Sequence, residues 1–177
     1  MNTLSIVRDA FRSRITRAFP EQIRAAIAPL TDEQIWWRPN ESSNSIGNLV
    51  LHLSGSLNTY LNRNIGGIEY VRDRDAEFAQ RREIPKHELL AIFDDMIAKA
   101  DRTFEALTDE RLGDPSPEPK MYAIVFEDLL AVATHLASHT GQILWIAKMF
   151  EARLDDVWIR THKSDVWRRQ NPLSSRA

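Results

Sequence analysis

The chain contains no cysteine. That absence removes disulfides, thiolate zinc sites, iron–sulfur ligation and a cysteine nucleophile, so any bound metal must be held by nitrogen and oxygen. Freedom from disulfides also suits a cytoplasmic location. No apolar run of about 18 residues or more occurs, so no membrane-spanning helix is expected. Charge of neither sign dominates: 23 Lys and Arg stand against 25 Asp and Glu, for a net charge of -2. No overall field therefore draws in nucleic acid or an anionic membrane surface, and neither is expected as a partner. Strand-like alternation is also missing, whereas helical periodicity recurs four times.

With 177 residues, of which 43% are hydrophobic and 27% charged, the chain has the makings of one soluble globular core. The first periodic segment runs from Leu4 to Leu30. Arg8, Arg12, Arg14 and Arg17 give its start the look of an organellar leader, but the apolar spacing Leu4, Val7, Phe11, Ile15, Ala18 continues to Ile23, Ala26 and Leu30 without a break. It reads as a first bundle helix, kinked or split at Pro20. The stretch "PLTDEQIWWRPNESSNS" breaks the pattern and ends in residues suited to capping. A second helix is expected over Ile46–Asn64, stopped by Gly66 and Gly67. The polar stretch "EYVRDRDAEFAQRRE" leads to Pro85, which opens a third helix to Leu107. After the loop "TDERLGDPSPEPK", a fourth helix spans Tyr122–Leu154. The expected architecture is all-α, a four-helix bundle over residues 1–154 with an irregular C-terminal tail, 155–177, packed on the bundle or on a partner. The connections are longer than those usual between antiparallel neighbours, which argues against simple up-down-up-down order.

The fourth helix carries "HLASHTGQILWI", two histidines four residues apart on a largely apolar segment. Its apolar face centres on Val125, Leu129, Val132, Leu136, Ile143 and Phe150. His139 lies about 40° from that centre and His135 about 80° away on the same side. With Asp128 and Gln142 they form a polar seam along one flank of a buried face. Histidines at i and i+4 stack over each other and can converge on one ion. Leu136 occupies the position that the zincin motif reserves for its glutamate, so a metalloprotease of that kind is excluded. The absence of paired Glu-x-x-His motifs excludes a ferritin-like di-iron site. For a third nitrogen, His87 sits in the exposed first turn of the third helix and His162 in the tail. His52 lies in mid-helix, about 110° from the apolar centre of its own helix, on a stripe with Ser45, Asn48, Ser56 and Thr59. That stripe fits a solvated face and fits equally the wall of a cleft between helices.

Taken together, "LTDEQIWWRPNESSNSIGNLVLHLSG" and "HLASHTGQI" resemble the DinB-like (YfiT-type) superfamily of metal-dependent four-helix-bundle enzymes, over about Ile23 to Lys148. The resemblance implies up-down-down-up helix order and a divalent metal, nickel or zinc, held by His52, His135 and His139. It also implies frequent homodimers. Relatives with known activity include thiol S-transferases that use a low-molecular-weight thiol and a thiol-dependent maleylpyruvate isomerase. The marks "WWRPN" and "RDRDAEF" resemble a branch that is among the least characterised, so the resemblance carries over no particular reaction.

Two function classes follow. One is a metal-dependent enzyme acting on a small electrophilic substrate by thiol S-transfer or metal-hydroxide hydrolysis; lacking cysteine, it would receive any thiolate from a cofactor. The other is a non-catalytic dimeric bundle whose three histidines hold a metal for structure or sensing. Asp128 is the candidate for orienting a ligand histidine or serving as base; its alternative is an exposed acid near a helix start. Gln142 and Asn48 could hold a metal-bound water or substrate, or simply bridge helices. Arg38 could meet an anionic substrate or pair within its loop, and Trp36 and Trp37 are expected to anchor packing.

Overall fold

The first helix is one rod in three parts. Helix α1 (Thr3–Ser13) starts at Asn2, whose Oδ1 accepts the Ser5 N–H at 2.7 Å. A π-helical turn, Arg14–Ala18, carries it into α2 (Phe19–Ile27). Pro20 accounts for that turn. It has no N–H to return to Thr16, and the Phe19 N–H just before it reaches back five residues to the Arg14 carbonyl. The widened turn absorbs the missing donor, so Pro20 does not end the rod.

The computed structural model describes residues 2–117 and 122–151, so the expected tail 155–177 and His162 lie outside the described residues. Beyond α2 the elements are α3 (Asp32–Trp36), α4 (Ile46–Leu57) with a π-helical extension Asn58–Arg63, α5 (Arg74–Ala79), α6 (Lys86–Ala106) and α7 (Val125–Lys148). Ser45 and Asn48 form a capping box at the start of α4. Gly67, at a φ of 68°, ends its extension in the left-handed conformation that glycine adopts freely. Two expectations are corrected here. The stretches around Ile35 and Glu77, read as irregular, each hold a short helix, and α7 begins at Val125 rather than Tyr122 and closes at Lys148. Among the described residues there is no strand, only one isolated bridge between Pro115 and Ile124.

Ion pairs and shared walls give the helix directions. Arg12 meets Asp101 at 2.7 Å while Arg24 meets Asp94 at 2.7 Å, and Lys86 Nζ donates to the Leu30 carbonyl at 2.8 Å, so the first rod and α6 are antiparallel. Gly47 lies on the Trp36 ring, whose Nε1 donates to Ile84 just ahead of α6, while Asn62 donates to Met96 further along; α4 and α6 are therefore parallel. Leu49 shares a wall with Ile146, and Tyr60 shares one with Asp128, which makes α4 and α7 antiparallel. The order is up-down-down-up. The first rod packs on α6 and α7, and α4 packs on the same two, so α1–α2 and α4 face each other diagonally. The connection from the first rod to α4 crosses the bundle end on that diagonal and the one from α6 to α7 crosses on the other, while the connection between the parallel helices α4 and α6 runs back along the bundle. Ile23, Leu53, Phe93 and Leu129, one from each rod, are fully enclosed in the core.

Helix α4 is buried almost all round. Only Leu51 among its residues is partly exposed, and the stripe of Ser45, Asn48, His52 and Ser56 is covered. The cleft is thus the right account of that stripe, and α5 and α7 are its covers. Close approach makes glycine necessary at two positions. A Cβ on Gly47 would sit 2.7 Å from the Trp36 ring, and one on Gly55 would sit 1.8 Å from Glu77 Oε1.

Gly47→Ala should lower the urea midpoint, at a cost of about 1–3 kcal/mol for overpacking against a buried indole. Gly141, exposed on α7 with nothing within 4 Å of its Cβ position, should instead gain about 0.5–1 kcal/mol on substitution by alanine. Equal midpoints for the two variants would contradict the described Trp36 packing.

Candidate metal centre

Helices α4 and α7 run antiparallel, and their histidines meet where they pass. His52 Nε2 lies 3.0 Å from His135 Nε2, which lies 3.0 Å from His139 Nε2. All three donor atoms fall within 4.8 Å of one another. The rings stand nearly at right angles, with interplanar angles of 76°, 84° and 89°. At about 2.0–2.1 Å from a zinc-like ion, two imidazole nitrogens stand about 3.3 Å apart in a tetrahedral site, or about 2.9 Å in an octahedral one. The two 3.0 Å spacings, His52 to His135 and His135 to His139, fall in that range.

The outer nitrogens decide what the inner ones can do. His52 Nδ1 lies 3.0 Å from Glu77 Oε2, and a carboxylate only accepts, so Nδ1 carries the hydrogen and Nε2 a lone pair. Arg72 Nη2 also approaches His52 Nδ1, at 3.1 Å, but its hydrogen goes to Glu77 Oε2 at 2.8 Å. His139 Nδ1 donates to Gln142 Oε1 at 2.8 Å, leaving its Nε2 with a lone pair as well. Both lone pairs face His135 Nε2, which has one hydrogen at most. At least one of the two 3.0 Å contacts therefore has no proton between its nitrogens. Extra protons are no remedy, because burial and then the neighbouring imidazoles push His135 down to about 4. Burial likewise lowers His52, against the upward pull of Glu77. A cation shared by the three nitrogens resolves the conflict, and the residues present fit a divalent ion.

Glu77 is assembled as carefully as the ligands. Asn48 Nδ2 donates to the Glu77 carbonyl at 2.9 Å and to Gln80 at 3.1 Å, which fixes α5 against the start of α4. Gly55 leaves room for the carboxylate, and Arg72 grips it through Nε at 2.7 Å. Burial works against the charge on Arg72, but the hydrogen bonds and charge of Glu77 prevail and hold its pKa above the ordinary value. Phe78 packs on the His52 ring at 4.7 Å between centroids. Sequence reasoning missed Glu77 and Arg72. Both lie in the segment "RDRDAEF" that carries part of the family resemblance, but nothing local ties that polar stretch to a helix 25 residues earlier.

The other candidates fall as follows. His87 is exposed, its side chain 82% accessible. Asp128 orients no ligand histidine; Glu77 and Gln142 hold that position, while Asp128 lines a cavity of about 290 Å³ together with His52 and His135. Asn48 is fully buried in the capping box and the α5 contact. Arg38 donates to Asn48 Oδ1 at 3.1 Å, and neither residue lines that cavity. Trp36 is buried and Trp37 packs edge-on against Phe150 at 5.4 Å.

A family model described as "Protein of unknown function (DUF1572)" matches residues 3–160. Among solved structures, the chain is similar to one described as the crystal structure of the conserved protein of locus from Enterococcus faecalis. The two are 13% identical, with 86% of this chain and 99% of that chain covered and a TM-score of 0.64. At that identity the likeness shows the fold. No curated protein matches.

Two outcomes follow from the tautomers. Glu77→Gln should weaken metal affinity by about 10–100-fold, measured by competition with a chelator, because it loosens a ligand without removing it. In metal-free protein, His135 has a lower pKa folded than unfolded, so the unfolded chain binds more protons and stability is lost as pH falls from the ordinary 6.5 toward about 4. His135→Gln should flatten that part of the stability–pH curve; an unchanged slope would mean His135 titrates normally.

Proposed function

The chain belongs to the family described as protein of unknown function (DUF1572), a description that assigns no activity, and on that premise we propose that it is a metal-dependent enzyme of the DinB-like superfamily acting on a small electrophilic substrate. The observation that carries this reading is the convergence of three imidazole nitrogens, two of them on residues, His52 and His135, that line a cavity. His52, His135 and His139 would hold the ion, with nickel and zinc as the candidates. Three neutral nitrogens leave coordination positions free, and the ion when bound supplies Lewis acidity to a water, thiol or substrate oxygen.

The chain's own residues then do the positioning. Glu77 and Gln142 keep the His52 and His139 lone pairs turned inward. Phe78 and the half-buried Arg72 partly cover that side of the centre, which strengthens charge interactions inside. The cavity is at the small end of ligand sites, so the substrate is a small molecule. With no cysteine in the chain, S-transfer would need a low-molecular-weight thiol as second substrate; hydrolysis would need only water.

Untagged protein exposed to nickel or zinc should retain one equivalent per chain by elemental analysis, and His52→Ala and His139→Ala should each retain less than a tenth of that. A small thiol or azide added to the cobalt- or nickel-loaded protein should shift its ligand-field bands. No stoichiometric metal would sink the reading. A spectrum indifferent to added ligands, combined with unfolding on metal removal, would replace it with a closed structural site.

A further inference from the structure

The cavity beside the three histidines is lined by two charges of opposite sign that answer to nothing else. Arg74 and Asp128 both face it, and neither has a hydrogen-bond or ion-pair partner among the described residues. Arg74 is exposed and makes one side-chain contact. Its guanidinium lies 4.9 Å from the Phe78 ring centroid, and Phe78 in turn packs on His52. That cation–π contact biases the guanidinium toward the cavity while leaving its N–H donors uncommitted. Arg72 adds a second free edge. Its Nε and Nη2 are committed to Glu77, its side chain is 12% accessible, and its Nη1 donates to nothing among the described residues although the residue lines the cavity.

The charge pattern selects the ligand. A simple anion would meet the Asp128 carboxylate, and a simple cation would meet two guanidiniums. Only a molecule with both signs satisfies the two walls together, because an opposite charge left unmatched beside a bound ligand costs its desolvation. Tyr60 and Tyr122 on the same lining add side chains that can hydrogen-bond as well as pack.

We propose that the substrate of this site is a small zwitterion of amino-acid type, its carboxylate held by Arg74 and the free edge of Arg72 and its ammonium by Asp128. The proposal rests on the reading of the three histidines as a metal centre with an adjoining substrate cavity.

The test is calorimetric titration of zinc-loaded full-length protein with β-alanine, 4-aminobutanoate, butanoate and butylamine, with zinc content measured in every sample. At least one amino acid should bind ten-fold or more tightly than butanoate and than butylamine. Asp128→Asn should erase the advantage over butanoate, Arg74→Met should erase the advantage over butylamine, and Arg74→Lys should restore part of it, all at unchanged zinc content and melting temperature. Butanoate binding as tightly as the amino acids would overturn the proposal. So would amino-acid affinity indifferent to both substitutions, which would mean direct ligation of zinc, and so would no binding by any probe. Failure to load zinc would sink the metal reading instead; the same titrations on metal-free protein then still decide between the charged walls and none.

Discussion

Two imidazole lone pairs aimed at a third imidazole that can satisfy only one of them are a conflict, and much of the local structure exists to create it. Glu77 and Gln142 take the Nδ1 hydrogens of His52 and His139, which turns both Nε2 atoms inward on His135. Burial keeps that arrangement from collapsing into protonation. The site is therefore poised for a cation, and its electrostatic tension is built from hydrogen bonds several ångströms away from where the ion would sit.

Those hydrogen bonds depend on elements that look incidental. Helix α5 is only six residues long and belongs to a connection, yet it presents Glu77. It stays in place because Asn48 takes two of its carbonyls as acceptors, because Gly55 gives way to the carboxylate, and because Arg72 grips it. Asn48 thus joins the capping of α4 to the geometry of the centre. Gly55, with no side chain, allows α5 to come close enough.

Bundle order has the same kind of consequence. Up-down-down-up packing sets α4 and α7 side by side and antiparallel, so a single histidine on one meets a pair on the other. Diagonal placement lengthens two of the connections, and the third, which must return along the bundle between the parallel helices α4 and α6, supplies the cover of the cleft. A simple up-down-up-down bundle with short turns would have no segment available for Glu77.

The sequence by itself determined the four rods, their caps and the pairing of His135 with His139, because helix periodicity and i, i+4 stacking are local. It also determined, through the absence of cysteine, that only nitrogen and oxygen could bind a metal. Phase alone left His52 open between solvent and cleft, since a stripe of Ser, Asn and His satisfies either; only the covering of α4 by α5 and α7 decided it. Residues 69–83 read as a polar linker for a similar reason, because a helix of six residues carries less than two turns of pattern. Glu77 and Arg72 became part of the centre through contact across 25 and 20 residues of chain with His52. Tertiary structure alone decides such meetings, because the hydrogen bond that fixes a tautomer is made between groups that no sequence interval relates.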